Sequence, residues 1–119
     1  MSAATEIIRQ GYGDVFAKSG AEADRSLGFR VDITEKDLPA VRGVKSYNAF
    51  RGEAVADVLE KILHDKIAYT VSFGRESSPV VYVWAKEEKD QKTVLGLLKG
   101  LEPDELDVVG SDIIRAWWD

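Results

Sequence analysis

Cysteine is absent from the 119 residues, which excludes disulfides, thiolate metal sites and cysteine nucleophiles. A reducing compartment is the natural setting for such a chain. Histidine is nearly absent too. His64 stands alone at the end of a predicted helix, where the carbonyl end of the dipole favours an imidazolium. No paired acid, thiol or metal-ligand spacing accompanies it, and a structural or solvent-exposed role is expected of it. No apolar run approaches the ~20 residues that a membrane span needs, and no basic segment leads into an apolar one at the start. The expectation is a cytoplasmic chain that stays out of the membrane.

Motifs for phosphate, metal and acid-base chemistry are missing as well. Gly11, Tyr12 and Gly13 form a short glycine-rich run, but it neither follows a strand nor continues to a third glycine or a GK[ST] ending. Glu102, Asp104, Glu105 and Asp107 are close in sequence but do not follow the calcium-loop spacing, and read as a solvated loop. Nothing singles out two carboxylates for glycoside hydrolysis. No catalytic residue, metal or cofactor is therefore assigned, and the chain is not read as an enzyme.

What is present is a content of 45% hydrophobic residues, enough for one globular domain over 1–119 with an ordinary core. The net charge of −5 is unevenly placed. Residues 1–50 carry seven basic and seven acidic side chains and residues 51–101 eight of each, so the whole excess lies in 102–119, where Arg115 faces six acids. Such a balance opposes nonspecific attraction to nucleic acid.

The clearest local pattern lies over 66–86. Ile67, Tyr69, Val71 and Phe73 alternate with smaller or polar residues, a period of two that marks a strand with one apolar face. Residues 74–78 supply turn chemistry, Pro79 opens the returning strand, and 80–85 is apolar or aromatic on both faces, as an interior strand is. Ser2 is an N-cap for a helix over 3–18 marked by Ile8, Tyr12, Val15 and Phe16. Leu27, Phe29, Val31 and Ile33 alternate as a first strand, and Thr34 with Asp37 forms a capping pair. Val55, Val58, Leu59, Ile62 and Leu63 define an amphipathic helix. After a charged connector at 87–91, Val94, Leu97, Leu98 and Leu101 define another, ended by Gly100 and Pro103. Residues 105–119 read as a strand that Gly110 bends or bulges, with Ser111 as an alternative helix cap.

After the leading helix the order is strand, helix, strand, strand, helix, strand. It resembles the ferredoxin-like βαββαβ arrangement over 27–118, an α+β fold with helices on one face of a four-stranded, mainly antiparallel sheet. That resemblance implies a central first strand and a central third strand.

Two surfaces stand out. Residues 38–52 contain no acid, and Arg42, Lys45 and Arg51 are interleaved with Tyr47, Asn48 and Phe50, a mixture able to hold an anion and stack on a flat group. In the split βαβ order, Arg75 at the hairpin tip joins them, as does the acidic 102–107 loop. The second surface is aromatic. Tyr82 and Trp84 share a face of the third strand, and Trp117 joins Arg115 and Ile113 on its neighbour. RNA-recognition modules present stacking aromatics on an open sheet in this manner, but their RNP sequence run is not found here. Trp117 and Trp118 are costly to leave in water, implying burial in this chain or a homodimer. The reading is a non-enzymatic adaptor or inhibitor that binds a protein partner through a sheet face and the 42–51 loop. A nucleic-acid-binding domain using that loop is the first alternative, and a small-ligand regulatory domain at a dimer seam the second.

Overall fold

The computed structural model of the chain describes residues 2–17, 28–44 and 49–119. The fold is α+β. Among the described residues a five-stranded antiparallel sheet carries four helices in the chain order α1 (Ala3–Ala17), β1 (Gly28–Asp32), a 3-10 turn (Glu35–Asp37), α2 (Leu38–Arg42), α3 (Gly52–His64), β2 (Thr70–Glu76), β3 (Ser78–Trp84), α4 (Glu88–Lys99), β4 (Glu105–Val109) and β5 (Ile113–Trp117). Across the sheet the order is β1-β2-β3-β5-β4.

The interior position expected of the 80–85 segment is where β3 lies, between β2 and β5. The rest of the strand order departs from the ferredoxin-like arrangement in two ways. Gly110 takes a φ of +83° and reverses the chain, so the segment expected as one bent strand is a hairpin in which Val108 opposes Ile114 and Val109 opposes Ile113. The strand count rises from four to five. β5 then takes the place beside β3 that a split βαβ sheet gives to its first strand. β1 lies at the edge instead, paired antiparallel to β2 from Gly28 opposite Glu76 to Asp32 opposite Ser72. An edge suits a strand whose Arg30 and Asp32 are exposed.

The helices lie on one face. Ile8 and Tyr12 of α1, Val55, Leu59 and Ile62 of α3, and Val94 and Leu98 of α4 join Val71, Phe73, Val81, Val83, Ile114 and Ala116 of the sheet in one hydrophobic cluster. Burying a side chain of this kind contributes about 1.5–3 kcal/mol. Trp118 is sealed in the same core, edge-on to Phe50 at 5.4 Å, with its indole N–H donating 3.0 Å to the Leu101 carbonyl. Its burial within the chain answers one of the alternatives left for the terminal tryptophans.

α1 is fastened at its start. The Thr5 N–H donates 3.1 Å to Ser2 Oγ, the N-cap expected from sequence. The Asp37 carboxylate then accepts from the hydroxyls of Ser2 and Thr5, the latter at 2.8 Å, and from the Thr34 N–H at 2.9 Å and hydroxyl at 3.3 Å. Tyr12 donates its hydroxyl to the Gly74 carbonyl and packs its ring 5.5 Å from both Phe29 and Phe73. Burial pushes this phenol's pKa up, with the nearby Arg75 charge opposing.

α4 begins earlier than its apolar pattern suggests. Residues 88–91, expected as connector, form its first turn, where Glu88 and Asp90 complement the positive end of the helix dipole.

Candidate interaction face

The sheet has a second face, and no described helix covers it. Alternation along each strand decides which side chains reach it, and the pairing register sets them in rows. One row is apolar, with Trp84 of β3, Ile113 of β5 and Val109 of β4 side by side. The next places Tyr82 beside Arg115 and Asp107, and the third places Val80 beside Trp117 and Glu105. Toward β1 the face carries Ser72 opposite Tyr82, with Asp32 and Arg30 beyond.

These groups hold one another in place. Arg115 donates from Nη1 to Glu105 at 2.7 Å and from Nη2 and Nε to Glu76 at 2.8 and 3.1 Å, so one guanidinium ties β4, β5 and β2 together. Tyr82 donates its hydroxyl to the same Glu76 carboxylate. Burial alone would raise the Glu76 pKa, but the bonds from Tyr82 and Arg115 and the charges of Arg115 and Arg30 outweigh it and hold the carboxyl below its ordinary value. Burial and the Glu76 bond both raise the Tyr82 phenol. Arg115 is likewise held in its charged form: burial opposes the charge, while Glu105 and Glu76 more than offset it.

Trp117 reaches across β3, its indole N–H donating 2.8 Å to the Glu76 carbonyl. The neighbouring Val80 is fully buried although it lies outside the main core. The Tyr82 and Trp84 rings lie 6.0 Å apart at 33°, and the Arg30 guanidinium sits over both, 4.6 Å from Tyr82 and 5.6 Å from Trp84. A cation over an aromatic face is attracted by the ring quadrupole. Tyr82, Trp84, Ile113 and Trp117 all remain half-buried, so the face presents a preset apolar patch with fixed charges beside it.

The described residues among those expected around 42–51, with Arg75, do not come together as a site. Phe50 is fully buried in the core, 6.2 Å from Phe73 as well as edge-on to Trp118, because its apolar ring fills the gap between the sheet and the start of α3. Arg75 is only 1% exposed. The turn is tighter than 74–78, with Glu76 opposite Ser78 and only Ser77, at a φ of +66°, between them. Arg75 therefore lies within β2, and its side chain points to the helix-covered side with Phe73 rather than to a loop tip. Arg42 pairs with Asp57 at 2.9 Å, and Arg51 donates 3.0 Å to the Phe50 carbonyl. Lys45, Tyr47 and Asn48 lie outside the described residues. The aromatic expectations are placed differently: Tyr82, Trp84 and Trp117 share the open face.

Sequence reading missed Glu76 and Arg30. Glu76 was hidden inside a predicted turn, and Arg30 meets the aromatics only through β1–β2 pairing, which no local pattern announces. His64 also has an unforeseen neighbour, with its Nδ1 3.7 Å from Glu35 Oε1 on the exposed surface. Among the described residues, no three histidine, aspartate or glutamate side chains converge as a metal would require. A cleft of about 530 Å³ is lined by Lys66, Lys86, Glu87 and Asp90 with Tyr69, a balanced set of charges without a shared focus. No helix among the described residues is long and apolar enough to cross a membrane.

Comparison with known protein families, with curated proteins and with solved structures gives no match.

Proposed function

We propose that the chain is a non-catalytic interaction module that binds a protein partner through the face of its sheet that no described helix covers. The observation that carries this reading is the half-exposed group of Trp84, Tyr82, Ile113 and Trp117, set in cross-strand register and braced by Glu76 and Arg115. Aromatic side chains with few rotors lose little entropy on association and dominate binding energies at interfaces. Bracing before binding lowers the ordering cost further. The apolar row ringed by charge matches the anatomy of a protein contact, an apolar centre within a polar rim.

The nucleic-acid alternative has less support. Of the residues it relied on, Phe50 is in the core, Arg75 is buried, and Arg42 is paired with Asp57. The open face itself carries Arg30 and Arg115 against Asp32, Glu76, Glu105 and Asp107, a balance that repels phosphate. The small-ligand reading gains no specific observation.

Affinity capture from native lysate tests the proposal. The wild-type chain and Tyr69→Ala, a substitution at an exposed tyrosine outside the aromatic rows, are expected to retain the same stoichiometric partner, while Trp84→Ala loses it. A partner retained equally by all three chains would refute the assignment of this face.

A further inference from the structure

The net charge of −5 resides in 102–119, and of its acids Glu105 and Asp107 stand along β4 at one margin of the open face, beside Arg115 of β5. Asp107 stands exposed in the row that holds Arg115 and Tyr82. The described cations of the face are already engaged, Arg115 by Glu76 and Glu105 and Arg30 by the two rings. A polyanion would find an acidic margin and two committed guanidiniums. A cationic surface would find the exposed Asp107 carboxylate in the same row as the half-buried Tyr82 ring, with Trp84 in the next.

We infer that the occupant of this face is a lysine- and arginine-rich protein surface, with its cations against the β4 margin at Asp107 and its planar or apolar groups on Trp84 and Tyr82. This rests on the interaction reading above and adds the partner's chemistry. A second copy of the chain is the poorer fit, because face-to-face association would set one net-acidic face, with Arg30 and Arg115 against Asp32, Glu76, Glu105 and Asp107, on another. Complementary charge of this kind steers encounter and rejects wrong partners more than it adds affinity, while the apolar row supplies the contact that excludes water.

Three defined probes test the inference: a short glycine-spaced arginine/lysine peptide, its glutamate counterpart and a single-stranded DNA oligonucleotide. Each is titrated into the full chain while the backbone amides and tryptophan indoles are followed by NMR. The basic peptide is expected to shift β3, β4 and β5 amides and the Trp84 indole, with affinity falling as salt rises. Asp107→Lys is expected to weaken it about tenfold or more, a loss of about 1.4 kcal/mol. Glu60→Lys, the same charge change on the exposed side of α3, is expected to leave it unchanged.

The inference is overturned if the basic peptide does not bind, if Glu60→Lys weakens it as much as Asp107→Lys, if the oligonucleotide occupies the face instead, or if light scattering shows a dimer closed through these strands. The two levels separate cleanly. A captured partner that is lost with Trp84→Ala but indifferent to Asp107→Lys and to salt leaves the interaction reading standing and removes the cationic partner.

Discussion

Asp37 concentrates more of the fold's polar commitment than any other described carboxylate. It is 2% exposed, yet accepts from Ser2, Thr5 and twice from Thr34, joining the start of α1 to the turn after β1. Burial would raise its pKa, but these four donors outweigh burial and hold the carboxyl below its ordinary value. A carboxylate depressed in the folded state stabilises above its unfolded pKa and loses that contribution as pH falls through the folded one. Stability should therefore decline through the acid range, and Asp37→Asn should lower it at neutral pH by about 1–3 kcal/mol and flatten part of the acid dependence. Urea melts of both chains across pH check this; equal slopes would contradict it.

Two glycines make an opposed pair at the same scale. A Cβ on Gly74 would lie 2.1 Å from the Phe29 carbonyl oxygen and 2.8 Å from Arg30 Cα, so β2 and β1 approach too closely for any side chain. Gly74→Ala should destabilise by about 1–3 kcal/mol or more. Gly96 on α4 has nothing within 4 Å of such a Cβ, and Gly96→Ala should stabilise by about 0.5–1 kcal/mol through helix propensity. Thermal melts moving in opposite directions are the expected result.

At the scale of elements, the β4–β5 hairpin joins the sheet through the ladder between β5 and β3, and one side chain braces it further. Arg115 links Glu105 to Glu76 across β5 and β3, with its side chain largely shielded from water. Arg115→Ala should cost about 1–3 kcal/mol, as lost charged hydrogen bonds do, and hydrogen exchange should quicken first at the outer strand, β4. Exchange that quickens uniformly would mean the arginine does not brace that margin.

What could be read of these elements from sequence followed the range of the signal. The helices, the β2–β3 hairpin and the interior status of β3 are written in local periodicity, and the Ser2 and Thr34/Asp37 caps in spacings of a few residues. Strand order depends on pairings between distant residues, which left β1 central in expectation and at the edge in the fold. Gly110 is compatible with a bulge or a turn, and only its positive φ selects the turn. Phe50 and Arg75 misled for a related reason. Their residue types suit a binding loop, whereas the ring fills the core beside Trp118 and the guanidinium lies inside β2. The aromatics of β3 and β5 were easier to assign, because alternation fixes which of them share a face.

For the whole molecule, the fold separates two surfaces of different use. Helices bury one side of the sheet in a continuous core, while the other keeps its aromatics in partial contact with water and exposes Glu105 and Asp107 along its β4 margin. The three tryptophans divide between these sides, and their solvent contact reports directly on the account. A soluble paramagnetic relaxation agent, added to the chain with its indole N–H signals resolved, distinguishes them in one experiment. The account predicts strong relaxation at Trp84, an intermediate effect at Trp117 and almost none at Trp118. A Trp84 indole as well protected as that of Trp118 would mean the face is covered in the free protein, and would contradict its use as a docking surface.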